Sequence, residues 1–205
     1  QQASAAFNID LGISGPLAKS HWGDCTTFQR KCRNAPNGNT PEQNNLEISL
    51  KSMDTLVFYS QNLAVPARRN LGNKQVLAGK KLFYETGCIS CHRPKFVTKN
   101  LPNQPEQSFQ LIWPYTDLLL HNMGEGLADN RPEGEANGFE WRTAPLWGIG
   151  LTKTVSGHTE FLHDGRARNL LEAILWHGGE AEDSKQKILT FRQEEREALL
   201  SFLNI

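Results

Sequence analysis

Apolar residues recur at helical spacing in four stretches of the chain. From Pro41 to Leu63, residues Leu46, Leu50, Met53, Leu56, Val57 and Leu63 follow one another mostly at three- and four-residue intervals. Thr40 and Pro41 suit a cap and a first turn, and Pro66 forces the chain out of helix ahead of it, so the pattern predicts one amphipathic helix between them. A second helix is predicted from about Asn73 to Thr86, with Val76, Leu77, Lys80, Phe83 and Tyr84 near one stripe and Gly87 suited to stop it. A short helix is predicted over Leu170 to Trp176. A last one runs from about Arg192 to Phe202: Glu194, Glu195 and Glu197 suit its positive N-terminal end, and Ala198, Leu199 and Phe202 form its apolar face.

Between these stretches the pattern fails. Arg93 to Gln110 and Gly124 to Gly138 are rich in Gly, Pro, Asn and charge, without the period-two alternation of strands. Loops of this length are either functional or disordered. Trp113, Trp141 and Trp147 sit in or beside them, which favours ordered loops wrapped over something large and flat. The predicted class is mostly α with long ordered loops.

Composition narrows the function classes. The 205 residues carry 22 Lys plus Arg against 22 Asp plus Glu, a formal net charge of zero, so no broad basic face is offered to nucleic acid or to an anionic membrane. The apolar run near Leu118–Leu120 is broken at once by His121 and Asn122, and no membrane span is expected. Hydrophobic residues make up only 38% while Gly and Pro number 17 and 10, a modest core that a buried apolar cofactor would enlarge. Gln1 to Asp10 lack the basic start and apolar stretch of a secretion signal, which reads as a removed signal or a piece of something longer.

Such a cofactor has an attachment motif. Cys88-Ile89-Ser90-Cys91-His92 has the Cys-x-x-Cys-His spacing in which two thiols form thioethers with a haem and the adjoining imidazole is held against the iron. The competing reading is a zinc site made by Cys88 and Cys91 with Cys25 and Cys32, but the second pair is spaced more widely than a zinc knuckle. A thioredoxin-like redox pair lacks the strand that should precede it. If haem takes Cys88 and Cys91, the remaining Cys25 and Cys32 most simply close a short disulfide loop, the alternative being two free buried thiols. Disulfide and covalent haem both point to an oxidising compartment, the periplasm.

The sixth position of the iron decides the chemistry: filled by a side chain it transfers electrons, left open it binds small oxidants. Met53 belongs to an apolar stripe, whereas Met123 follows His121-Asn122 in a Gly-bounded turn and is in reach of iron. His21, His158 and His163 read as hydrogen-bonded structural residues. His177 ends the apolar stretch Leu170–Trp176 and is followed by Gly178-Gly179, which lets an imidazole approach a cofactor without a bulky neighbour.

These residues carry a resemblance. The segments from Gln1-Gln2 to Gly12-Ile13, Asn62 to Arg69, the haem motif, Pro114 to Gly124, Glu140 to Gly148 and Phe161 to Arg166 resemble the C-terminal half of the bacterial di-haem oxidoreductases. That family includes relatives of di-haem cytochrome c peroxidase and of the MauG proteins, and the likeness is nearest to its thiol oxidoreductase subgroup. It implies a cytochrome c-like helical core, with residues 1–70 as an extension packing on a haem domain of 71–205. In the peroxidase relatives the distal ligand lies fourteen residues beyond the His of the Tyr-Phe-His-x-Gly-type segment. Counted from His163, that position is His177. The peroxidases place Met there and the MauG proteins Tyr, and the resemblance implies His92 and His177 as axial ligands with Met123 as second choice. Imidazole in place of thioether lowers the reduction potential, so a high-potential role does not carry over.

A second departure concerns the family's N-terminal domain, which has its own Cys-x-x-Cys-His haem. No second such motif occurs in this sequence. The expectation is therefore the electron-transfer half of a larger protein, exchanging single electrons with that haem domain and a small soluble donor such as a cytochrome or cupredoxin, without turnover of its own. The rival expectation is a self-sufficient haem peroxidase with an open iron site. Arg142, Arg166 and Arg168 are candidate partners for haem propionates. Trp147 and Phe161 are candidate porphyrin contacts, and Trp113 or Trp141 candidate steps on an electron path. Relatives hold calcium between their haem domains; His158-Thr159-Glu160 does not match the peroxidases' Thr-x-Pro ligand segment, so calcium is left open.

Overall fold

A computed structural model describes residues 2–205, so Gln1, where the resembling stretch begins, lies outside the described residues. The eight α-helices among them are α1 Gln2–Ala5, α2 Arg30–Arg33, α3 Leu50–Gln61, α4 Lys74–Glu85, α5 Thr152–Ser156, α6 Leu170–Trp176, α7 Glu182–Leu189 and α8 Gln193–Leu203. Four short strands, β1 Phe96–Val97, β2 Leu111–Ile112, β3 Leu120–Asn122 and β4 Glu140–Arg142, pair as two separate antiparallel ribbons, β1 with β2 and β3 with β4. The class is mostly α. The chain divides into one unit ending at Ala64 and a second, Val65–Ile205.

In the first unit the helix anticipated from Pro41 starts nine residues later, at Leu50. Thr40 and Pro41 open only the 3-10 turn Pro41–Gln43, because Asn44 and Asn45 then take left-handed backbone with φ of 57° and 56°. Ser49 is the actual cap, its side chain accepting the Ser52 N–H at 3.1 Å. Met53 is buried, as its place in the stripe predicts. Loop order comes from the Glu47 carboxylate, which accepts the N–H groups of Ser14 at 2.8 Å and Gly38 at 2.7 Å. Cys25 and Cys32 are disulfide-bonded with Cα atoms 6.2 Å apart.

The second unit is built on α4 and α8. Asn73 caps α4 by accepting the Gln75 N–H at 2.8 Å, and α4 buries Val76, Gly79 and Phe83. Leu77, anticipated on this stripe, is exposed, and Gly79 takes the contact position instead. From α8, Ala198, Leu199, Phe202 and Leu203 are buried. A Cβ on Gly79 would overlap the Ala198 carbonyl and come within 2.9 Å of the Phe202 side chain, so the close crossing of the two helices depends on the missing side chain. Val76, Phe83, Tyr115, Leu170, Ile188, Leu199, Phe202 and Leu203 form one buried cluster. It joins α4 and α8 to α6, to α7 and to the loop after β2.

Candidate functional site

The motif Cys88 to His92 lies immediately beyond α4, and local chemistry places it there. Thr86 turns its hydroxyl back onto the Leu82 carbonyl at 2.8 Å, and Gly87 takes φ +93°, a left-handed conformation that ends the helix. Cys88–Ser90 then form a 3-10 turn, and the His92 N–H returns to the Cys88 carbonyl at 2.9 Å. The Thr86 hydroxyl and the His92 N–H thus fix the motif relative to one helix end.

His92 faces His177 with ring centroids 6.4 Å apart and ring planes at 40°. His177 is the C-cap of α6, whose N-terminus is fixed by Asn169 accepting the Glu172 N–H at 2.9 Å. Each imidazole has one nitrogen already engaged: His92 Nδ1 lies 2.9 Å from the Tyr115 carbonyl oxygen and His177 Nδ1 2.7 Å from that of Ala173. A carbonyl only accepts, so both Nδ1 atoms carry the proton and both Nε2 atoms keep a lone pair. Burial, the largest influence on each ring, disfavours the charged form: it lowers the His92 pKa to about 4 and moves His177 in the same direction. Two imidazoles whose surroundings favour the neutral form therefore face one another, each with Nδ1 on a carbonyl.

The Tyr115 carbonyl is aimed by an uncommon backbone. Tyr115 has φ +53°, left-handed for a residue with a bulky side chain, and its buried ring packs edge-on against Phe83 and Phe202 at 5.8 and 5.6 Å. The loop is stitched down on both sides, since Thr116 N–H reaches the Arg93 carbonyl at 3.1 Å and the Thr116 hydroxyl donates to the Thr143 carbonyl at 2.6 Å.

Cys88 and Cys91 are free thiols. Burial pushes both thiols up, with the Asp117 carboxylate adding to the effect at Cys91, so neither is an activated nucleophile. Cys25 and Cys32 are bonded to each other and hence not available to complete a zinc site with them. Asp117 and His121 lie close by: the Cys91 sulfur and one ligand atom of each fall within 4.8 Å of one another. His121 is held from both sides, Nε2 at 2.9 Å from Asp117 Oδ2 and Nδ1 at 2.9 Å from Glu180 Oε2. Glu180 above all, then Asp117, raises the His121 pKa against the effect of burial.

Other anticipated residues are more scattered. Phe161 is half-buried against the core cluster and pairs with Ala167, while Trp147 is half-buried beside Gly148. Arg166 donates from Nε to Asp164 Oδ2 at 2.6 Å, donates from Nη1 to the Gly126 carbonyl, and lies over the Trp176 ring at 4.9 Å. Arg142 is exposed on β4, and Arg168 is exposed and paired with Glu172 at 2.9 Å. Trp141 stacks on His163 at 3.5 Å, and Trp113 has the ammonium groups of Lys80 and Lys95 over its ring. Met123 is half-buried, on the turn whose backbone lies against Gly178 and Gly179. His158 pairs with Glu160 at 2.6 Å. The roles of the Tyr115 and Ala173 carbonyls and the Asp117–His121–Glu180 bridge did not emerge from the sequence; Tyr115, Asp117 and His121 stood in the noticed segment Pro114 to Gly124, but nothing there marked what they contact.

The residues fit a haem of the c type. Metal–imidazole bonds of about 2.0–2.1 Å on both sides of one ion, plus the half-ring beyond each nitrogen, come to roughly 6 Å, close to the separation found. The second nitrogen of each ring is engaged by a main-chain carbonyl, the usual partner of a metal-bound histidine. Two free thiols precede one of the rings at the attachment spacing.

The sequence matches the family model described as "Di-haem oxidoreductase, putative peroxidase" over residues 4–205. Comparison with curated proteins and with solved structures gave no match. Among the described residues no helix is long and apolar enough to cross a membrane.

Proposed function

This chain belongs to the di-haem oxidoreductase family, and from that membership and the facing imidazoles we propose that it holds one covalent haem and passes single electrons within a di-haem oxidoreductase. Cys88 and Cys91 would supply the two thioether sulfurs, and His92 and His177 would hold the iron. The bound haem supplies a one-electron iron couple. The observation that carries the reading is the His92–His177 pair at 6.4 Å, each ring with Nδ1 on a carbonyl.

The chain's own residues then do three things. Tyr115 and Ala173 orient the two imidazoles and fix their tautomers. The half-buried setting of both rings favours their neutral, ligating form. His177, facing His92, would leave no open position on a haem held between them for water or small oxidants, which favours electron transfer over turnover of an oxidant by this half alone. Met123, the other candidate, directly follows β3, on the turn against Gly178 and Gly179. The helical pair α4 and α8, with the motif directly beyond α4, supports a cytochrome c-like core. Partners in this reading are a second haem domain and a small soluble redox donor, in the periplasm, where the Cys25–Cys32 disulfide is stable.

Mass spectrometry of the denatured protein after expression with a c-type maturation system tests the assignment. One haem retained on the chain, and lost when Cys88 and Cys91 are both replaced by Ala, is the expected result. A chain that binds zinc but no haem would contradict it.

A further inference from the structure

His177 is followed by two glycines, which bring no side chains of their own to fix the start of the link to α7. The link is nevertheless held at several points. Glu180 Oε1 accepts the Asn122 N–H at 2.8 Å while Oε2 meets His121 Nδ1 at 2.9 Å. The glycines lie so close to the neighbouring turn that a Cβ on Gly178 would come within 2.9 Å of the Met123 carbonyl and one on Gly179 within 2.7 Å of the Gly124 nitrogen. At the other end His121 Nε2 meets Asp117 Oδ2 at 2.9 Å, and Asp117 Oδ1 is itself fixed by the Leu119 N–H at 2.9 Å. Asp117 stands two residues beyond Tyr115, whose carbonyl orients His92.

A continuous path therefore runs from one facing imidazole to the other: His92, the Tyr115 carbonyl, Asp117, His121, Glu180, and through two glycines to His177. The two inner members are well shielded, with side-chain exposures of 6% for Asp117 and 15% for His121, while Glu180 is 54% exposed. We infer that the Asp117–His121–Glu180 bridge positions His177 against the proximal side, a conclusion that rests on the haem reading above. His121 and Glu180 are positioning residues: they act on the iron only through His177. Without the bridge, the glycine link has less to hold it, and His177 leaves its place more often.

The test uses the haem-loaded chain in its ferric form, with cyanide as the probe and the rate at which it captures the distal position as the readout. Glu180→Ala removes both hydrogen bonds and is expected to raise the capture rate about tenfold, the effect of losing one charge-assisted bond. The low-spin spectrum before cyanide is expected to stay as in wild type. Glu180→Gln, whose amide offers an oxygen to Asn122 N–H and an N–H to neutral His121, is expected to recover most of the wild-type rate. Glu182→Gln, which alters a carboxylate paired with Lys185 on α7, is expected to leave the rate unchanged. Should Glu180→Ala fail to load haem, His121→Gln carries the same expectation. Capture at the wild-type rate in the bridge variants, or equal acceleration by Glu182→Gln, overturns the inference. A wild type without haem, or one whose spectrum is unmoved by His177→Ala, sinks the haem reading instead.

Discussion

His92 and His177 stand with ring centroids 6.4 Å apart, although 85 positions separate them in the chain, and each has Nδ1 against a main-chain carbonyl. The relationship is set by two helix ends. α4 stops at Gly87 and delivers one imidazole; α6 stops at its own C-cap and delivers the other. The buried core cluster that includes Phe83 and Leu170 packs these two helices in one body, so core stability and site geometry depend on the same contacts.

The α4–α8 crossing gives the sharpest stability prediction. At Gly79 an added methyl meets the Ala198 main chain, which yields only if the helices separate. Overpacking costs about 1–3 kcal/mol, and a backbone obstacle puts this site at the upper end. Helix propensity returns about 1 kcal/mol for Gly→Ala. Gly79→Ala is therefore expected to lose about 2 kcal/mol in urea unfolding of the haem-loaded chain, whereas an unchanged or raised midpoint would show the crossing to be looser than described.

How much of this was legible beforehand varies with the physics. α6 was readable to the residue because its apolar run is bounded by Asn169 and by Gly178-Gly179. The start of α3 was misread because two left-handed asparagines, Asn44 and Asn45, interrupt a pattern whose spacing gives no sign of them. α7 was missed since Glu182–Leu189 buries only Ile188 and has too few apolar residues to mark a period. At the site, thiols and imidazoles announce their chemistry by type and spacing. A main-chain carbonyl does not: the role of Tyr115 depends on its φ of +53°, and the His121–Glu180 contact joins residues 59 positions apart.

The disulfide closes a short loop, Cys25 to Cys32 being separated by 7 positions. Loop-closure entropy assigns such a link about 2 kcal/mol. The double variant Cys25→Ser/Cys32→Ser is expected to lose about that much stability in the unit that contains it, measured by hydrogen exchange of amides in α3; unchanged protection would show that Glu47 and its hydrogen bonds order this unit by themselves.

The His121 bridge has a pH signature. The His121 pKa is raised, first by Glu180, so its contribution to stability is complete below the ordinary histidine value near 6.5 and is lost as pH rises through the raised value. The Glu180 pKa is lowered, first by His121; that of Asp117 is lowered because the Leu119 N–H and His121 outweigh its burial. Their contributions are present above the ordinary carboxylate range near 4 and disappear as pH falls below it. The stability difference between wild type and His121→Gln is therefore expected to be greatest near pH 5–6, at about 1 kcal/mol given partial exposure, and to shrink in alkali and in strong acid. A difference independent of pH from 5 to 9 would mean that His121 contributes packing and not charge.

In the proposed function His177 fills the distal side of a haem fixed by Cys88, Cys91 and His92. The most direct test is the absorption spectrum of the ferric and ferrous protein, wild type and His177→Ala. Low-spin spectra in the wild type and conversion to a high-spin ferric spectrum in the variant are the predicted results. A low-spin spectrum left unchanged in His177→Ala would contradict the account and pass the distal role to another residue, Met123 first.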